Sequence, residues 1–298
     1  MCGFGFFSVY DLAMSIDNLS EIYRAQLSET DFEKLGSMIY QIAGIKMPPS
    51  KKVMVQARLK KRLRALGMNS FPNYVDYVFS KEGLDAEIVH ILDVISTNKT
   101  DFFRESIHFS FLSERVLPVF AQRSEGKLFK VWSAGCSSGE EAYTLAMVLN
   151  EFGLKVPGFD FSILGTDIST TILAMAKNAV FAESRLKPAV PERLIRRYFM
   201  KSKDPVKKWY RIIPEIRRKT QFSRLNFMDD RYPVTDMFDV VFCRNVLIYF
   251  DRDTQEQVVR KICNHLKPGG YLFHGHSESL IGMDLPLKNI QSTIFRKI

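Results

Sequence analysis

The sequence predicts an α/β protein: a doubly wound, mostly parallel sheet preceded by a small all-helical domain. Three observations predict it. At 298 residues the chain has room for about two domains of roughly 150 residues each. Between residues 28 and 95 the apolar positions recur at helical spacing, with no strand-like run. Beyond residue 128, short apolar runs alternate with helical segments, which is the pattern of βαβ units.

Residues 1–27 show no strong pattern and are expected to form an N-terminal extension. A helix follows with Ser28 as N-cap, acids in its first turn, and Phe32, Leu35, Ile39 and Ile42 on one face. Gly44 stops it and Pro48-Pro49-Ser50 starts another, in which Val55, Leu59, Leu63 and Leu66 share a face. Arg58, Lys61 and Arg64 fall on the opposite face at 100° per residue. Gly67 is its expected C-cap, and two shorter helices, Phe71 to Phe79 and Ala86 to Ile95, complete a helical domain over 28–95.

The second domain is expected over 96–298. Its first strand is Phe129 to Ala134, followed by a Gly/Ser-rich turn and the helix Glu140 to Glu151. The second strand, Phe161 to Asp167, leads into the helix Thr170 to Ala179. Thr220 to Asn226 reads as a third strand and Phe238 to Cys243 as a fourth, continuing into the helix Asp253 to Leu266. Lys267-Pro268-Gly269-Gly270 is read as a turn into a fifth strand, Tyr271 to His274, and Ser292 to Lys297 as an antiparallel closing strand.

Hydrophobic residues at 46% and charged residues at 25% are the balance of a globular protein, which excludes disordered and collagen-like classes. No apolar run approaches the roughly 18–20 residues needed to span a bilayer. The apolar opening lacks a basic n-region, so no secretory signal is expected. Cys2, Cys136, Cys243 and Cys263 are far apart, which indicates neither a disulfide framework nor a zinc site and fits a reducing cytoplasm. The net charge of +9 is concentrated: Lys51 to Arg64 holds seven basic residues and no acid, and Arg193 to Arg224 holds twelve against two acids. Such patches attract nucleic acid, an anionic membrane or an acidic protein.

In a doubly wound sheet, ligands bind beyond the carboxyl ends of the strands. Here the first strand ends in Gly135-Cys136-Ser137-Ser138-Gly139-Glu140-Glu141. The two glycines are expected to turn the chain sharply and leave room for a ligand. Asp167, ending the next strand, is placed to accept hydrogen bonds from ribose hydroxyls. Two glutamates after the glycines would repel a phosphate and suit an ammonium or sulfonium group, and no G-x-x-x-x-G-K-[ST] loop is present. The combination points to S-adenosylmethionine. Cys136 is read as a small loop-filling residue. His274 and His276 have no third ligand nearby in sequence, so packing or substrate contact is expected there and no metal site.

Four stretches then carry a resemblance. They are Thr97-Asn98-Lys99-Thr100-Asp101-Phe102-Phe103-Arg104-Glu105, Trp132 to Tyr143, Phe242 to Asp251, and Gly275-His276-Ser277-Glu278-Ser279. In this order the chain resembles the chemotaxis receptor methyltransferase family over about residues 28–298. The resemblance implies a helical domain joined to a Rossmann-like, S-adenosylmethionine-dependent methyltransferase domain with a β-subdomain inserted within about 190–220. It implies methylation of glutamate side chains on the cytoplasmic helices of chemoreceptors, with S-adenosylhomocysteine as the other product. Asn98, Thr100 and Arg104 would line the cofactor pocket beside Gly135. Glu140 would face the methionine part, with Glu141 as its neighbour, and Asp167 would hold the ribose. Asn226 and Phe227 would flank the adenine, and Arg244 and Asn245 would close the pocket. Arg104 and Tyr249 would stand nearest the transferring methyl and the incoming carboxylate.

The resemblance also supplies a partner. Receptor methylation regions are helical bundles with acidic faces, so Arg58, Lys61 and Arg64 are expected as substrate-docking contacts, and the membrane is met only through receptors. Two other readings fit a basic, cofactor-binding chain. One is a nucleic-acid methyltransferase, which lacks support because no Asn/Asp-Pro-Pro-Tyr-type motif is present. The other is a non-catalytic S-adenosylmethionine-binding sensor, against which the intact Arg104 and Tyr249 argue.

Overall fold

The computed structural model describes residues 21–123, 126–204 and 206–298; most of the expected extension over 1–27, including Cys2, lies outside them. The chain divides into two units between Ser96 and Thr97.

The first unit is helical. Ser28 accepts the Asp31 N–H to start α1 (Glu29–Ala43), which ends on left-handed Gly44. After a 3₁₀ turn at Pro49–Lys51, α2 (Lys52–Leu66) runs to left-handed Gly67. Ser70 caps α3 (Phe71–Val78) and Ser80 caps α4 (Lys81–Ile95). Phe32, Leu35, Ile39, Val55, Leu59, Leu63, Tyr74, Val75 and Leu92 form the core. The last helix begins five residues before the expected Ala86 because Gly83 belongs to it. A Cβ at Gly83 would lie 1.8 Å from the Tyr77 carbonyl oxygen, so this glycine marks a close approach of backbone and not a helix break.

The basic face of α2 is narrower than its periodicity suggests. Arg58 donates to the carbonyls of Val94 (2.8 Å) and Ser96 (3.0 Å), satisfying the C-terminal end of α4. Arg62 makes a two-armed bond to the buried Glu87, at 2.7 and 2.6 Å. Lys61 and Arg64 are exposed.

The second unit is built on a seven-stranded sheet. Its strands are β1 (Leu128–Ala134), β2 (Asp160–Asp167), β6 (Thr220–Arg224), β7 (Phe238–Cys243), β8 (Leu266–His274), β9 (Leu287–Gln291) and β10 (Ile294–Lys297). They lie in the order β6-β2-β1-β7-β8-β10-β9. The first five are mutually parallel, and β10 runs antiparallel between β8 and β9. Strand order reverses at β1, whose neighbours are β2 on one side and β7 on the other, so the ligand crevice falls beside its carboxyl end.

Four expectations change. The closing strand β10 is not the edge; β9 lies outside it, and its Leu-Lys-Asn-Ile-Gln sequence is too polar and exposed to signal a strand. The expected turn at 267–270 lies inside β8 as an irregularity, with left-handed Gly269 and a register shift opposite Phe238. Residues 107–123, for which no element is expected, form α5 (Ile107–Phe111), a π-helical turn (Leu112–Val116) and α6 (Leu117–Arg123). The inserted subdomain begins at Val180, earlier than about 190. It is an antiparallel sheet of β3 (Val180–Ala182), β5 (Trp209–Ile212) and β4 (Phe199–Lys201), strands of three or four residues that carry no readable periodicity.

Candidate active site

The turn after β1 requires three left-handed residues, Gly135 (φ 85°), Ser137 (φ 50°) and Gly139 (φ 95°), before α7 (Glu140–Gly153) begins. The N–H groups of Gly135 and Cys136 both donate to the Thr166 carbonyl, at 2.7 and 2.8 Å. A Cβ at Gly135 would lie 2.3 Å from Val246 Cγ2, and one at Gly139 would lie 3.1 Å from Ala176 Cβ. The space beside each glycine is therefore filled by the protein's own side chains. The glycines are needed here both for the left-handed turns and for the close approach of these neighbouring side chains.

Asp167 ends β2 and is buried, with 9% exposure. Its Oδ2 accepts the Ser137 N–H (2.9 Å) and its Oδ1 the Ser169 N–H (3.0 Å), so it ties two strand-end loops together. Asn226 and Phe227 follow β6, where the Leu225 N–H donates to the Asp167 carbonyl at 3.0 Å. Phe227 packs edge-on to Phe250, which adjoins Tyr249.

Glu140 is fully buried at the start of α7. It accepts the Ser138 hydroxyl at 2.6 Å and a guanidinium N–H of Arg185, a partner for which the sequence carries no signal. Burial raises its pKa, with Ser138 and Arg185 acting in the opposite sense.

The segment 97–104 presents four successive carbonyls to this end of the sheet. Thr97 accepts the Tyr249 hydroxyl (3.4 Å), Asn98 the Ser137 hydroxyl (3.1 Å), Lys99 an Arg104 guanidinium N–H (3.1 Å) and Thr100 an Arg185 N–H (2.8 Å). Asn98, Thr100, Arg104, Glu140 and Tyr249 are thus brought together through main-chain acceptors. Burial raises the Tyr249 pKa.

Arg244, expected with Asn245 to close the pocket, is a buried cation. Its side chain is 2% exposed, lying 3.3 Å from Glu105 Oε2 and 3.4 Å from Glu141 Oε2. It also donates to the Arg104 carbonyl and stacks near Phe109 and Phe242. Burial raises the Glu141 pKa against the opposing pull of Arg244 and Ser133. Burial also pushes the Glu105 pKa up, but Arg244, His276 and His108 outweigh it, and the net shift is downward. Asn245 is left-handed (φ 59°) and points its amide at Glu105 Oε1, 3.5 Å away.

Glu278 organises the same loop. Its carboxylate accepts the N–H groups of Val246 (2.8 Å), Leu247 (2.7 Å) and Gly275 (2.6 Å). Burial raises its pKa while these donors pull it back. His274 is buried, with its Nδ1 2.9 Å from the Gly275 carbonyl oxygen. His276 instead stacks on His108, with centroids 5.5 Å apart. Ligand atoms of Glu105, His108 and His276 lie within 4.8 Å of one another. The shared Glu105 oxygen already faces the Arg244 cation, so a divalent ion there would meet a guanidinium.

The donor set suits a cationic nucleoside. Three acids stand at the β1 and β2 ends: Glu140, paired with Arg185, Glu141, paired with Arg244, and Asp167, placed to accept from a ribose. A parallel sheet reversing at β1, a glycine-turned loop on that strand and a buried acid ending the next are what an S-adenosylmethionine-dependent methyltransferase requires.

Comparison with known proteins specifies the class. Residues 98–296 match the family described as "CheR methyltransferase, SAM binding domain", and residues 30–96 match "CheR methyltransferase, all-alpha domain". The chain belongs to the CheR methyltransferase family, and its cofactor is S-adenosylmethionine. It is 39% identical over 256 residues to the chemotaxis protein methyltransferase of Salmonella typhimurium, covering 86% of each chain. The Escherichia coli protein of that name is 38% identical, again over 86% of each chain. The Borreliella burgdorferi protein is 35% identical over 260 residues, covering 86% of this chain and 90% of the relative.

Proposed function

We propose that this protein methylates glutamate side chains on the cytoplasmic helices of chemoreceptors, giving glutamyl methyl esters and S-adenosylhomocysteine, and that it works in the cytoplasm. The observation that carries the reading is the pairing of Arg104 and Tyr249 on one segment, through the Lys99 and Thr97 carbonyls. The names of its relatives, chemotaxis protein methyltransferases, supply the receptor context. Among the described residues no helix is long and apolar enough to cross a membrane, and the receptor would bring the membrane near.

The cofactor, when bound, supplies a methyl group on a positively charged sulfur. A glutamate side chain is ionised near neutral pH, so its oxygen can form the new C–O bond as the C–S bond breaks, with the electron pair leaving on sulfur. The two charges cancel and no proton moves. The residues here are therefore asked to desolvate, aim and hold the carboxylate. In this reading Arg104 orients it through its guanidinium fork and Tyr249 through its hydroxyl. Asp167 holds the ribose, Glu140 faces the methionine ammonium, and Asn226 with Phe227 flanks the adenine. Asn98 and Thr100 line the pocket through their backbone, and the Gly135 and Asn245 turns shape its walls. Arg58, Lys61 and Arg64 are the docking contacts on α2, Lys61 and Arg64 exposed and Arg58 half-buried with one guanidinium nitrogen on the α4 carbonyls.

The test is incubation with labelled S-adenosylmethionine and receptor-containing membranes. Base-labile label on a receptor band, its rate reduced about a hundredfold but still measurable with Arg104→Ala at saturating cofactor, is the expected result. Label on RNA, no label, or full turnover by Arg104→Ala overturns the reading.

A further inference from the structure

The Arg104 turn is conformationally expensive. Phe103 (φ 53°) and Glu105 (φ 55°) on either side of Arg104 are both left-handed, a region that side chains with a Cβ rarely occupy. Such a turn persists only where its surroundings over-determine it. Two contacts do so from the protein's interior: the Phe103 N–H donates to Thr144 Oγ1 at 3.2 Å, and Arg244 donates to the Arg104 carbonyl.

Arg244 is itself a buried cation, which is stable only when paired. Glu105 and Glu141 flank it at 3.3 and 3.4 Å. Ser133 Oγ donates to Glu141 at 2.7 Å, anchoring that carboxylate to β1. The chain of support thus runs from the β1 strand through Ser133, Glu141 and Arg244 to the backbone of Arg104. Glu105 closes it from the turn itself.

We propose that Glu141 and Glu105 are positioning residues for methyl transfer, fixing Arg244 so that its guanidinium holds the Arg104 carbonyl and, through that backbone, aims the Arg104 side chain. The inference rests on the reading of Arg104 as the residue that orients the incoming carboxylate. Glu141 touches no reacting atom in this account. Its carboxylate charge matters because it immobilises Arg244, and a neutral isostere leaves that cation underpaired.

Two measurements on the full chain test it, with Glu141→Gln and Glu105→Gln as independent variants so that failure of one to fold leaves the other decisive. Amide hydrogen exchange should show protection of the Phe103 amide, which donates to Thr144, reduced about tenfold in either variant, with the β1 and β8 amides unchanged. Unchanged protection of the Phe103 amide overturns the proposal. In a double-mutant cycle for turnover, Glu141→Gln should lower kcat about tenfold in the wild-type background and less than about twofold beside Arg104→Ala. Independent, multiplying effects would mean that Glu141 does not act through Arg104, which also overturns it. If the wild-type protein methylates no receptor, the functional reading fails, while hydrogen exchange still decides whether the ion triad holds the turn.

Discussion

Replacing Glu278 with alanine removes the acceptor of three backbone N–H groups at once, those of Val246, Leu247 and Gly275. Each charge-assisted bond of this kind contributes about 1.5 kcal/mol net. Leu247 and Gly275 are buried, whereas Val246 is partly open and can regain water. The combined loss is about 3 kcal/mol, a fall of about 6–12 °C in Tm for a unit of this size. Glu278→Gln should lose about half as much: its carbonyl oxygen still accepts two amides, while its NH₂ faces the third as donor against donor. Both tryptophans, Trp132 and Trp209, lie beyond Ser96, so urea unfolding followed by tryptophan fluorescence reads this unit alone. A loss below about 0.5 kcal/mol for alanine, or an equal loss for the two variants, would show that these three bonds do not hold the loop. The left-handed Asn245 and the Tyr249 turn hang on the same bonds, so turnover should fall with stability.

Three further outcomes are expected. Asp167→Asn should weaken S-adenosylhomocysteine binding in calorimetry by about tenfold or more, since a charged acceptor is lost; unchanged affinity would remove Asp167 from the ribose. Burial holds the His108 pKa down at about 3, whereas the unfolded chain takes up that proton near pH 6.5. Stability from this group is therefore lost as pH falls from about 6.5 towards about 3, and His108→Gln should flatten the urea-midpoint slope between about pH 7 and 5; identical slopes would contradict this. Lys61→Glu with Arg64→Glu should lower kcat/KM for receptor about tenfold at low salt and less at high salt, leaving cofactor affinity intact. A salt-independent loss would place these residues outside the docking face.

What could be read from the sequence follows the range of the interactions. β7 matches its expected bounds, Phe238 to Cys243, because a buried parallel strand announces itself as a continuous apolar run. Ser28, Gly44 and Gly67 act within a turn of their own helices, and each caps as expected. β9 and the subdomain strands are short, polar or exposed, and only their neighbours make them strands. The site divides in the same way. Asp167 is visible from its place at a strand end. The Arg185–Glu140 and Arg244–Glu141 pairs join residues tens of positions apart, and no local pattern foreshadows them. Glu105 and Glu278 lie inside the motifs that carry the resemblance, and their positions are a signal, although the Arg244, Val246 and Leu247 atoms they hold come from a distant segment.

The strand order has a consequence for how this enzyme comes into being. The bond from Arg244 to the Arg104 carbonyl closes a loop between residues 140 apart in sequence, and it exists only once β7 has found β1. Contacts of such separation form slowly, because the entropy of closing the loop must be met before any of them is rewarded. The β1–β2 half can pair as soon as it is synthesised, while Tyr249 leaves the ribosome about eighty residues after the end of β2. Catalytic competence is therefore expected to be the last property the chain acquires, trailing most of its secondary structure.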